Sequence, residues 1–99
     1  MNRNKPGKIS DFAHFLSSLK SDSEIVDFMT EILTEAELET LSKRWQIVNL
    51  LKDGKTQREI AEKLQVSLCK VTRGAKILKN KNSVITKYLT KEKSNGNKI

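Results

Sequence analysis

The sequence predicts an all-α fold. Apolar residues recur with a period near 3.6 along most of the chain, and each such stretch follows a residue able to cap a helix. Composition agrees: in 99 residues there are three Phe, one Trp, one Tyr, one Pro and four Gly, too few for a turn-rich β fold.

Ser10 is the expected cap of a first helix carrying Phe12, Phe15, Leu16 and Leu19. Ser23 is the expected cap of a second, with Val26, Met29 and Leu33 on one face and Ile25, Phe28 and Ile32 on the next. A helix apolar around most of its circumference needs cover on two sides, which in so short a chain suggests a partner subunit. Thr34 and Glu37 form a capping-box pair ahead of a long helix bearing Leu38, Leu41, Trp45, Val48 and Leu51, with Ile47 and Leu50 widening the stripe. Asp53 and Gly54 should end it. Thr56 and Glu59 repeat the capping box at once, Ser67 caps the next helix to about Lys79, and Asn82 or Ser83 opens a last amphipathic segment with Val84, Ile85, Tyr88 and Leu89. The chain reads as a flexible arm over residues 1–9, a single helical domain over 10–90 and a disordered basic tail over 91–99.

The formal charge is +7, and it is unevenly placed. Residues 22–39 hold seven acidic residues and no basic one, whereas residues 40–99 hold fifteen basic and four acidic. A cationic half of this kind favours a polyanionic partner. One Cys and one His exclude a disulfide, a Cys-based metal site and the common catalytic clusters, so neither an enzyme nor a metal cofactor is expected. No signal peptide or membrane span is read, and the expected compartment is the cytoplasm.

The stretch TQREIAEKLQVSLCKVTRGAKILKN, residues 56–80, has the form of a helix-turn-helix. Ala61 is small enough for two helices to cross, and Ile60, Leu64, Val66, Val71 and Leu78 are spaced to clamp the corner. The turn position before Val66 calls for a positive φ and holds Gln65, at a cost of roughly 1 kcal/mol. In such a motif the second helix enters the major groove of double-stranded DNA by its N-terminal residues, here Leu68, Cys69, Lys70 and Thr72. Lys70 can donate to guanine or phosphate, Thr72 can do either more weakly, and Leu68 can touch a thymine methyl. Gln57 and Arg58 open the first helix, where Arg58 is long enough to reach a guanine. Lys55, Lys76 and Lys79 suit phosphate contacts. The competing reading is a helical adaptor that meets protein or RNA through its basic half.

At these residues the sequence resembles the tryptophan repressor family. QREIAEKL (57–64) and TRGAKILK (72–79) resemble its two reader helices, and LTEAELETLSKRWQIV (33–48) the helix before them. The resemblance implies an intertwined helical homodimer whose reader pairs dock on a palindromic operator as a transcriptional repressor, with L-tryptophan as corepressor. It carries Arg44 and Arg73 over as the pair that sandwiches the indole, Thr34 as a neighbour of the ligand carboxylate, the carbonyls of Glu31 and Leu33 as acceptors for the amino group, and Gly74 as the point of close ring approach. A guanidinium suits that role because it stacks on indole and pairs a carboxylate. Ile77 stands where the family has a serine beside the amino group, one residue is missing between Ile47 and Thr56, and Gln65 replaces the turn glycine. A ligand-independent regulator of this fold, or one answering another small molecule, is the alternative that Ile77 motivates.

Overall fold

The computed structural model describes residues 7–96. Six helices follow one another: α1 (Gly7–Ser17), α2 (Asp22–Ile32), α3 (Glu35–Lys52), α4 (Gln57–Leu64), α5 (Leu68–Lys79) and α6 (Val84–Gly96). Among the described residues there is no strand, so the all-α expectation holds. Helical backbone covers residues 7–9 and 91–96, within the stretches assigned to the arm and the tail. Residues 1–6 and 97–99 of those assignments lie outside the described residues. The chain divides into two compact units, Met1–Leu38 and Glu39–Ile99.

In the first unit α1 begins ahead of Ser10, and the cap of α2 is Ser21 rather than Ser23. The Ser21 hydroxyl accepts from the Glu24 N–H at 3.1 Å, while the Glu24 carboxylate accepts from the Lys20 N–H at 2.7 Å. Starting there puts Asp22 and Glu24 in the first turn, where negative charge complements the helix dipole. Phe28 of α2 meets Phe12 and Phe15 of α1, with ring centroids 5.7 and 5.0 Å apart. These contacts leave no residue of α2 buried, and Ile25, Val26 and Ile32 stay exposed. The two-sided burial read from α2 is therefore not supplied within the described chain. The Thr34–Glu37 capping box forms as read: the Thr34 N–H donates to the Glu37 carboxylate at 2.9 Å, and the Glu37 N–H donates to the Thr34 hydroxyl at 3.1 Å.

The second unit holds the core. Ile47 of α3, Ile60 and Leu64 of α4 and Val71 of α5 are buried together, with Leu50, Leu51, Ala61 and Val66 packed against them. Of the corner clamp, Leu78 is half-buried and lies outside this cluster, and Ile47 takes the place expected of it. Leu78 is seven residues beyond Val71, toward the end of α5 where the Thr86 hydroxyl of α6 donates to the Ile77 carbonyl. Trp45, whose place on the apolar stripe reads as core or dimer interface, is exposed on α3 and meets Tyr88 of α6 with ring centroids 6.1 Å apart.

Two turns set the direction of α4 and α5. Gly54 follows α3 at φ +95°, a left-handed backbone that favours glycine. Gln65 ends α4 at φ 57°, ψ 52°, also left-handed. A Cβ in that region is strained by about 1–2 kcal/mol, partly offset because glycine is costlier to order. Gln65→Gly is thus expected to stabilise the fold by about 0.5–1 kcal/mol, seen as a rise of a few degrees in Tm. An unchanged or lower Tm would show that the Gln65 side chain repays its own strain.

The second capping box, Thr56 with Glu59, has a pH signature. The Thr56 N–H donates to the Glu59 carboxylate at 2.9 Å, and the Glu59 N–H donates to the Thr56 hydroxyl at 3.1 Å. The backbone hydrogen bond from Thr56 holds the Glu59 carboxyl below its usual range, with the Thr56 side chain and the Lys55 charge adding to it. A carboxyl whose pKa is lower folded than unfolded stabilises the fold above its unfolded pKa. That contribution is lost as pH falls through the folded value. Glu59→Gln keeps a side-chain acceptor for the cap but cannot titrate, so thermal melts of this variant should lose less stability between neutral and acid pH than the parent. Equal losses would mean that the cap carries none of the acid sensitivity.

Candidate nucleic-acid interface

Three residues, Gln65 to Ser67, join α4 to α5. Ser67 caps α5 as expected: its hydroxyl accepts from the Lys70 N–H at 3.3 Å. Val71 is fully buried, so its neighbours on the first turns of α5 face outward. Leu68, Cys69, Lys70 and Thr72 are all exposed, as are Arg73 and Lys76 further along the helix. Leu68, Cys69, Thr72, Arg73 and Lys76 line one open depression of about 500 Å³. An apolar tip, a thiol, a hydroxyl and two cations on one convex helix can meet both base edges and phosphates.

From α4, Arg58 is exposed and Gln57 is half-buried. The structure ties Gln57 to α5 directly, because the Thr72 hydroxyl donates to the Gln57 amide oxygen at 2.9 Å. Among the described residues the ion pair is Lys43 with Glu39 on α3, at 3.5 Å, and no carboxylate neutralises Arg58, Lys70, Arg73 or Lys76. Their charge remains available to a polyanion, and the N-terminal end of α5 adds unpaired N–H groups of the same polarity.

The residues that the resemblance assigned to a ligand are placed less uniformly. Arg44 is exposed on α3, Arg73 is exposed on α5, and Ile77 is half-buried on α5. Thr34 belongs to the first unit, where it caps α3. Gly74 is buried, and a Cβ built on it would lie 2.7 Å from Ile47 Cγ2, 3.4 Å from Leu51 Cδ1 and 3.5 Å from Val48 Cγ1. The absence of a side chain at Gly74 therefore lets α5 sit tightly on α3. No local sequence signal shows this contact, since Gly74 and Ile47 are far apart in the chain.

Thr86 is a residue that the sequence alone does not single out. Its hydroxyl donates to the Ile77 carbonyl at 2.8 Å, anchoring α6 near the C-terminal end of α5. Among the described residues no group of three or more His, Cys, Asp or Glu could hold a metal ion, and no helix is long and apolar enough to cross a membrane.

Comparison with known proteins covers most of the chain. The family described as Trp repressor protein matches residues 8–93. A Trp operon repressor homolog of Chlamydia caviae is 41% identical over 70 residues, which is 70% of this chain and 69% of that protein. One of Chlamydia trachomatis serovar L2 is 33% identical over 82 residues, 82% of this chain and 87% of the relative. One of Xylella fastidiosa strain M23 is 50% identical over 52 residues, 52% of this chain and 56% of its own length. No solved structure matches.

Proposed function

Since the chain belongs to the Trp repressor family, whose members are DNA-binding repressors and not enzymes, we propose that it represses transcription as a cytoplasmic homodimer that reads double-stranded operator DNA, with L-tryptophan as corepressor. The genes under its control are those of amino-acid biosynthesis or transport. One observation carries the DNA-reading part: α4 and α5 put Arg58, Lys70, Arg73 and Lys76 on exposed positions with no carboxylate pairing them. Uncompensated cations at the start of α4 and along the exposed side of α5 suit contact with a phosphate backbone. The apolar residues left exposed on α1 and α2, among them Phe12, Phe15, Val26 and Ile32, support the homodimer, because a second copy would cover them.

Arg44, Arg73 and Thr34 are the residues proposed for the corepressor, with Gly74 and Ile77 beside them. A second reading keeps the dimer and the DNA but replaces tryptophan by another small molecule or by none. The contact of Gly74 with Ile47, which accounts for the glycine without a ligand, and the apolar Ile77 favour it.

Selection of bound duplexes from a random pool, with and without L-tryptophan, tests these readings together. The expected result is a palindromic sequence bound more tightly with the amino acid present, matched by heat in a calorimetric titration. Palindrome selection without heat or tightening would favour the second reading. Failure to select any palindrome would point to an adaptor for protein or RNA.

A further inference from the structure

The hydrogen bond between Thr72 and Gln57 determines more than the spacing of two helices. A threonine hydroxyl has one proton and two lone pairs, so a freely rotating Thr in the major groove can donate to a keto oxygen or accept from an amino group. Here the proton is committed. The Thr72 hydroxyl donates to the Gln57 amide oxygen at 2.9 Å, and Gln57 sits at the first position of α4 with its backbone held by the Thr56–Glu59 cap. Thr72 is exposed and lines the open depression on α5 with Leu68 and Arg73, so its oxygen can meet a ligand while its proton points back to α4.

The geometry points to Gln57 as the residue that makes Thr72 an acceptor-only reader. Thr72 then selects a base with an exocyclic amino group, the N6 amine of adenine or the N4 amine of cytosine. The keto oxygens of guanine and thymine offer no proton to a hydroxyl that has none left to give, and both oxygens would face each other unpaired. The Gln57 amide nitrogen keeps its two N–H donors for a neighbouring phosphate or base acceptor. This inference rests on the DNA-reading function proposed above and assigns the base chemistry at one position of that site.

Duplex selection with the full-length protein and four variants tests it. The base pair facing Thr72 is the one whose preference changes in Thr72→Val. At that pair the parent protein and Thr72→Ser should favour the amino-bearing base by about ten-fold over its keto counterpart. Gln57→Ala frees the Thr72 proton, and the preference should shrink to about two-fold or less, as in Thr72→Val. Gln57→Glu keeps an oxygen opposite the hydroxyl while removing the amide donors. It should retain the base preference even as all duplexes bind more weakly, which separates the effect on Thr72 from any contact Gln57 makes itself. A parent preference for a keto base, or an unchanged preference in Gln57→Ala, would overturn the inference and leave DNA reading intact. If the parent selects no sequence at all, the DNA-reading function fails and the inference falls with it.

Discussion

Gly74→Ala is expected to destabilise the protein, although alanine is the better helix former by about 1 kcal/mol. The new Cβ would stand 2.7 Å from Ile47 Cγ2, well inside the separation of about 3.5–4.0 Å at which carbon atoms attract. Ile47 is 2% exposed and belongs to the central cluster with Ile60, Leu64 and Val71, so it has no free direction in which to move. Overpacking of this kind costs about 1–3 kcal/mol and outweighs the helix-propensity gain. Gly74→Val adds two further methyl groups and should cost about 3 kcal/mol or more, a large share of what a small domain has. Urea unfolding of Gly74→Ala, Ile47→Ala and the double variant gives the decisive comparison. Ile47→Ala removes the offending Cγ2, so the double variant should be more stable than the sum of the two losses by about 1 kcal/mol. Strict additivity would mean that Gly74 and Ile47 do not constrain one another. In the proposed function this contact also sets how α5 lies on α3, so Gly74→Ala should weaken DNA binding under conditions where the variant remains folded.

The second large effect concerns the two ends of α5. Lys70 lies in the first turn, where Ser67 caps the helix, and Lys76 lies in the last. Lys70→Ala is expected to cost about 1–3 kcal/mol on the preferred sequence and much less on others, so its selected sequence relaxes at the base pair that Lys70 meets. Lys76→Ala should instead weaken binding to all duplexes by a similar factor and reduce the slope of log affinity against log salt by about 1. Binding measured on preferred and random duplexes across a salt series separates the two. If both variants behave alike, α5 does not enter the groove by its N-terminal end.

The capping signals were legible where a single residue could serve. Thr34, Thr56 and Ser67 each cap the helix expected of them, because a cap is a hydrogen bond between residues three apart. At the start of α2 two serines compete within three positions, and the choice of Ser21 depends on where Asp22 and Glu24 then fall. The positive φ at Gln65 was also legible, since the turn demands it whatever residue stands there. The exposure of Leu68, Cys69, Lys70 and Thr72, the residues proposed to read DNA, follows from Val71 pointing inward, which helical periodicity already implies. Trp45 was legible only in part: an aromatic on an apolar stripe reads as core or dimer interface, and its exposed position beside Tyr88 sets aside the first.

The all-α class, the caps of α3, α4 and α5, the left-handed turn between α4 and α5 and the basic character of the C-terminal half are written in the sequence alone. All of these depend on periodicity, on charge or on bonds between residues a few positions apart. That Gly74 packs against Ile47, that Thr72 spends its proton on Gln57, and that Thr86 holds the Ile77 carbonyl became visible only in the folded chain. Each of these joins residues of different helices. Such a contact exists only once the chain has turned back on itself, so no window of neighbouring residues contains it.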